Sequence, residues 1–143
     1  MDRRSIFKAT ALAGLGLFTA NRARAEAAHA SRVVYHLVDA ERVPLALGNL
    51  HNHIAGTGGS TRFALVALGP ALRVFRRDAG NLAVAEDVRD RLADGVSFYA
   101  CANTIAAQKW TLGDLLPGFA LAEKGGVVLL ADLQAQGWAY LRP

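Results

Sequence analysis

The chain has 143 residues, 52% of them hydrophobic, with a formal charge of +4 and one cysteine. That length fits a single domain of ~100–200 residues, and one cysteine excludes an intramolecular disulfide and a zinc site of several thiolates. The charge suggests nucleic acid or an anionic surface, but it is confined to residues 1–25, where Arg3, Arg4, Lys8, Arg22 and Arg24 face Asp2 alone, and residues 26–143 carry no basic excess to support a nucleic-acid partner.

Residues 1–25 have the order of an export signal. Arg3-Arg4 and Lys8 precede an apolar stretch from Ala9 to Ala20, and Ala23-Arg24-Ala25 is a small-x-small cleavage site. The apolar stretch is shorter than the ~20 residues that span a bilayer. The paired arginines, a hydrophobic pair and Lys8 are similar to a twin-arginine signal, the alternatives being a general secretory signal or an uncleaved anchor. Cleavage after Ala25 would leave a periplasmic protein without a membrane anchor, with a flexible lead-in at 26–31 and a domain at 32–143.

Arg32 to Val38 is rich in β-branched and aromatic residues and reads as a strand buried on both faces. Asp39 ends it and is placed to cap a helix on which Val43, Leu47, Leu50 and Ile54 recur. Gly56 to Gly59 stops that helix. Phe63 to Leu68 is a second buried strand, broken by Gly69-Pro70. Residues 71–81 suggest a short strand or turn. Ala85, Val88 and Leu92 mark the buried side of a second helix, and Glu86, Asp87, Arg89, Asp90 and Arg91 its solvated side. Val96 to Ala100 is a third strand, and Cys101-Ala-Asn-Thr opens a short helix toward Trp110. A loop at Asp114-Leu-Leu-Pro-Gly leads to a fourth strand, Phe119 to Ala122. Gly125 to Gln136 contains the unbroken apolar run Val127-Val-Leu-Leu and fits helix or strand; the shared face of Val127, Leu130, Ala131 and Gln134 favours a helix stopped by Gly137, with Trp138 to Leu141 as the last strand. Strands alternating with helices predict an α/β layer structure with a mostly parallel sheet and helices on both faces.

Cys101 falls where a strand ends and a helix begins, the place where sites gather in open α/β sheets. A thiol there faces unpaired N–H groups and the positive end of the helix dipole, which favour the nucleophilic thiolate. The alternative is an inert cysteine packed as a small apolar side chain. Asn103 and Thr104 follow closely enough to cap the helix or to bond a group on the sulfur. His36 and Asp39 lie near the end of the first strand and would approach Cys101, with His36 as a base, if the first and third strands are close. His36 is otherwise a hydrogen-bonded core histidine. His51 and His53, two apart on a helix, point ~200° apart and cannot share one metal, and no metal or cofactor is expected. Gly56-Thr-Gly-Gly-Ser lacks the lysine of a phosphate loop, and there is no Gly-x-Ser-x-Gly elbow.

Over most of residues 32–143 the chain resembles the DsrE/DsrF-like family of small sulfur-relay proteins. The resemblance runs through Asn49-Leu-His-Asn-His-Ile, Leu68-Gly69, Gly95-Val-Ser-Phe-Tyr-Ala-Cys-Ala-Asn-Thr, Asp114-Leu-Leu-Pro-Gly and the ending from Leu133 to Pro143. It implies a three-layer α/β/α domain with a mainly parallel sheet of about five strands, and assembly into homotrimers or homohexamers. It also implies a cysteine at the position of Cys101 that accepts sulfur as a persulfide and passes it between donor and acceptor proteins. The export signal sets this chain apart from the cytoplasmic sulfur-relay members. A sulfur carrier or sulfurtransferase therefore stands beside a second reading, a non-enzymatic module that binds a small ligand near His36, Asp39 and Asn103 or serves as a structural subunit.

Overall fold

The computed structural model describes residues 31–143; the signal-like segment 1–25 and the lead-in up to residue 30 lie outside the described residues. The first strand, β1 (Arg32–Leu37), alternates its side chains across the sheet: Val33, Tyr35 and Leu37 face one side, Val34 and His36 the other. Strands β2 (Arg62–Ala67), β3 (Ser97–Cys101), β4 (Phe119–Ala122) and β5 (Ala139–Leu141) complete a five-stranded sheet of order β4-β3-β2-β1-β5. Every pairing is parallel. The continuous apolar runs of β1 and β2 reflect burial on both faces, as a parallel sheet with helices on each side requires.

The helix after β1, α1 (Val43–Thr57), carries Pro44 in its first turn and buries Val43, Ala46, Leu47 and Leu50. It ends at Gly58, whose φ of 58° is the left-handed conformation that glycine tolerates best. The aspartate before it does not cap as expected. Asp39 leads instead into a 3-10 turn at Ala40–Arg42, and its side chain makes no capping bond. Residues 71–81 also differ from expectation. They form a short helix, α2 (Ala71–Val74), and a 3-10 turn at Arg77–Ala79, and only Arg76 makes an isolated antiparallel bridge, to Leu115. Gly69-Pro70 starts this helix, and the stretch is too short to show a helical period.

Helix α3 (Leu82–Ala93) is capped by the Asn81 side chain, which accepts from the Val84 N–H at 3.2 Å. It buries Val84, Val88 and Arg91. Arg91, expected on the solvated face, is instead the one charged side chain buried among the described residues, because its guanidinium finds partners there: its Nε lies 3.2 Å from Asp94, and it also bonds Nδ1 of His51. Helix α4 (Ala102–Ala107) follows β3 directly, and α5 (Gly126–Ala135) precedes β5.

The two faces of the sheet are covered unequally. On one, Val33, Tyr35, Leu37, Phe63, Leu65, Phe98 and Phe119 pack with residues of α1, α2, α3 and α4 into the main core. On the other, Val34, Ala64 and Val66 meet only Leu130 and Leu133 of α5, with Leu68, Tyr99, Leu129 and Trp138 at the margin. Helix α5 is apolar on its outer side too: Val127 is 67% and Val128 41% exposed. Cys101 belongs to this thinly covered half.

Candidate functional site

Cys101 is both the last residue of β3 and the N-cap of α4. Its backbone is still extended, with φ −65° and ψ 118°, so the chain turns into the helix immediately after it. The side chain is buried and unpaired with any other sulfur. Its Sγ accepts a hydrogen bond from the Gly126 N–H, at 3.2 Å, in the first turn of α5. The sulfur therefore lies at the starts of two helices, where backbone N–H groups have no intrahelical partner. Burial pushes the thiol up, but the N–H groups of Gly126, Thr104 and Asn103 and the Thr104 hydroxyl together outweigh it and hold the thiol below its ordinary value. This is the environment that favours a thiolate.

The approach of α5 to the sulfur depends on two adjacent glycines. Gly125 has φ 99° and ψ 152°, a region essentially reserved for glycine. A Cβ there would also stand 2.7 Å from Nδ2 of Asn103. At Gly126 a Cβ would meet Leu68 at 2.7 Å. The two glycines thus let the start of α5 approach Cys101 without displacing Asn103 or Leu68. In the sequence the pair shows only as two glycines before an apolar run, a pattern that carries no functional signal by itself.

Thr104 ties the site to the end of β2. Its Oγ1 accepts from the Gly69 N–H at 3.0 Å, which leaves its own proton to be donated toward sulfur. Asn103 packs its amide against Gly125. The structure thus brings together Cys101, Asn103 and Thr104, as the sequence suggested, and adds Gly69, Gly125 and Gly126.

His36 and Asp39 are not part of this arrangement. Strand β2 lies between β1 and β3. His36 is in register with Val66 and, through it, with Tyr99, two residues before Cys101. Two strand spacings and two residues of rise put the His36 and Cys101 Cα atoms roughly 12 Å apart on one face. His36 is therefore no base for the thiol. Its Nδ1 lies 2.6 Å from the hydroxyl of Tyr140, and Asp39 pairs with Arg142 at 3.8 Å. His51 and His53 also find separate partners, Arg91 and the Tyr35 hydroxyl respectively. No group of three or more His, Cys, Asp or Glu side chains placed to hold a metal occurs among the described residues.

No protein-family model matches the chain, and no curated protein does. Solved structures do. The chain is 36% identical to the protein of unknown function MTH1491 from Methanobacterium thermoautotrophicum, with a TM-score of 0.72 over 79% of this chain and 99% of that one. The chain belongs to the MTH1491 family. A protein of unknown function from Bacteroides thetaiotaomicron, BT1422, shares the fold alone, at 13% identity and a TM-score of 0.57 over 77% of this chain and 94% of that one. Membership of the MTH1491 family fixes the five-stranded parallel architecture and assigns no reaction, so function has to be argued from the site.

Proposed function

We propose that the protein is an exported, self-associating sulfur carrier or sulfurtransferase in which the Cys101 thiolate takes up sulfane sulfur as a persulfide. The observation that carries this reading is the Gly126 N–H directed at Cys101 Sγ, in a setting that holds the thiol below its ordinary value. In the loading step the thiolate attacks one sulfur of a hydrogen disulfide anion. The bond from Sγ to that sulfur forms, the donor's S–S bond breaks, and hydrosulfide leaves with the bonding pair and the donor's proton. Cys–S⁻ and HSS⁻ become Cys–S–S⁻ and HS⁻, so atoms and charge balance. Discharge reverses the roles: an acceptor thiolate attacks the outer sulfur and the Cys101 thiolate leaves.

Three further observations support the reading. The resemblance to DsrE/DsrF-like proteins is densest from Gly95 to Thr104, and the five-stranded parallel sheet is consistent with that fold. Export to the periplasm rests on Arg3-Arg4 and the sequence up to Ala25. Self-association rests on the resemblance and on Val127 and Val128, which leave an apolar helix uncovered on its outer side.

One observation favours a second reading. Cys101 is only 4% exposed, as expected of a cysteine that packs as a small apolar residue in a ligand-binding or structural module. Labelling with a small thiol reagent separates the two. A reactive thiolate labels in the folded protein at a rate comparable to a free thiol. Protection until the chain is unfolded would support the second reading.

A further inference from the structure

β1 and β5 are parallel neighbours in the sheet, and their carboxyl ends lie side by side. In open α/β sheets, ligands bind outside the carboxyl ends of the strands. Four polar side chains meet there. His36 and Asp39 come from the end of β1, and Tyr140 and Arg142 from the end of β5. None of them takes part in the Cys101 site.

The hydrogen bonding of this cluster leaves donors free. His36 Nε2 is buried and has no partner among the described residues. A buried orphan N–H is rarer than an under-satisfied acceptor, so the ring proton belongs on Nδ1, donated to the Tyr140 oxygen at 2.6 Å. The Tyr140 hydroxyl proton is then left to point outward, and Tyr140 is 39% exposed. Arg142 and Asp39 are both exposed, and their 3.8 Å separation exceeds hydrogen-bond length. Such a surface pair contributes at most about 1 kcal/mol, so the guanidinium fork is open to a better acceptor.

We propose that the surface at the carboxyl ends of β1 and β5 binds a small oxyanion, a carboxylate or a sulfate-like group. The Arg142 guanidinium takes two of its oxygens side by side, the geometry that guanidinium and oxyanion share, and the Tyr140 hydroxyl donates a third bond. His36 is a positioning residue that orients Tyr140. Asp39 competes with the ligand for Arg142. The site stands on its own residues and does not depend on the reactivity of Cys101.

The test is NMR titration of the full, ¹⁵N-labelled chain with sodium acetate and, separately, sodium sulfate, at ionic strength held constant with sodium chloride. Saturable shifts of the Arg142 Nε–H and the Tyr140 amide are expected in the millimolar range. A response to acetate alone assigns a carboxylate, and a response to sulfate alone a tetrahedral anion. Arg142→Gln should weaken binding by about tenfold or more, the loss of a charge-assisted pair of bonds. Tyr140→Phe should weaken it less, and Asp39→Asn should tighten it. These side chains are at the surface, so unchanged amide spectra elsewhere verify the fold. Absence of saturation with both anions, wild-type affinity in Arg142→Gln, or weaker binding in Asp39→Asn would overturn the proposal.

Discussion

The amide of Gly126 donates to the sulfur of Cys101 across 3.2 Å, although the two residues are 25 apart in the chain. The bond satisfies one of the orphan N–H groups of α5 and places a fixed donor on the sulfur. With the Thr104 hydroxyl and the N–H groups of α4, it offsets the cost of burying a thiolate. The alkylation rate of the folded protein as a function of pH should therefore show a midpoint below the ordinary thiol value of 9.0. Thr104→Val should move that midpoint up, and Thr104→Ser should restore it. A wild-type midpoint at or above the ordinary value would contradict the electrostatic account.

Thr104→Val has a second consequence. It removes the acceptor of the Gly69 N–H, and an unsatisfied donor of this kind costs roughly 1–3 kcal/mol. Because the bond is only partly buried, water recovers some of the loss, and the lower end is expected. Urea denaturation checks it. Stability equal to wild type would mean that the Thr104–Gly69 bond adds nothing.

Gly125→Ala should destabilise the fold by roughly 1–3 kcal/mol, because the residue would be held at a φ of 99° that only glycine adopts readily. Its Cβ would also press on Asn103. Gly125→Ala combined with Asn103→Ala should recover only part of the loss, since the clash is relieved and the backbone strain is not. Full recovery in the double variant would show that crowding, and not the backbone, makes glycine necessary there.

These residues show how far the sequence could be read. Continuous apolar runs such as Phe63 to Leu68 and helical spacing such as Val43, Leu47 and Leu50 are local patterns, and they locate the five strands, helices α1, α3, α4 and α5, and the parallel class. The cysteine could be placed at a strand-to-helix junction for the same reason. Its partners were only half legible. Asn103 and Thr104 lie within three residues, but Gly126 reaches Cys101 through the path of β4, which no local pattern reveals. The pairing of His36 with Tyr140 depends on strand order. Nothing local says that β5 lies beside β1 while β2 separates β1 from β3, so the sequence leaves open whether His36 and Asp39 approach the thiol, and they form a cluster with the end of β5. Asp39 had the composition of a cap, but a 3-10 turn intervenes before α1.

The main core sets the stability of the sheet's crowded face. Phe75 is wholly buried and packs against Phe119 with ring centroids 5.1 Å apart. Phe75→Ala should cost about 3–5 kcal/mol. Leu82, 79% exposed at the start of α3, should tolerate alanine within about 0.5 kcal/mol. Denaturation midpoints of the two variants provide the comparison, and similar losses for both would contradict the assignment of Phe75 to the core.

His36 makes stability depend on pH. Burial lowers its affinity for a proton, Arg142 lowers it further, and Asp39 opposes both. The unfolded chain thus binds a proton at His36 more readily than the folded protein does. This contribution is fully present above the ordinary histidine value of 6.5 and is lost as the pH falls below it toward the lower folded value. The carboxylates of Asp78 and Asp114 are held below 3.8, so their titration lies outside this window. Urea midpoints measured from pH 7.5 down to about 5, just below the reference histidine range, should fall more steeply for wild type than for His36→Asn. Parallel curves would show that His36 does not titrate differently in the two states.

The central claim is that Cys101 takes up sulfur. Intact mass spectrometry of the folded protein after brief exposure to polysulfide tests it most directly, with Cys101→Ser treated alongside. A gain of one sulfur atom, about 32 Da, is expected on wild type, reversed by a reducing thiol and missing from the variant. No gain on wild type, or an equal gain on Cys101→Ser, would contradict the account.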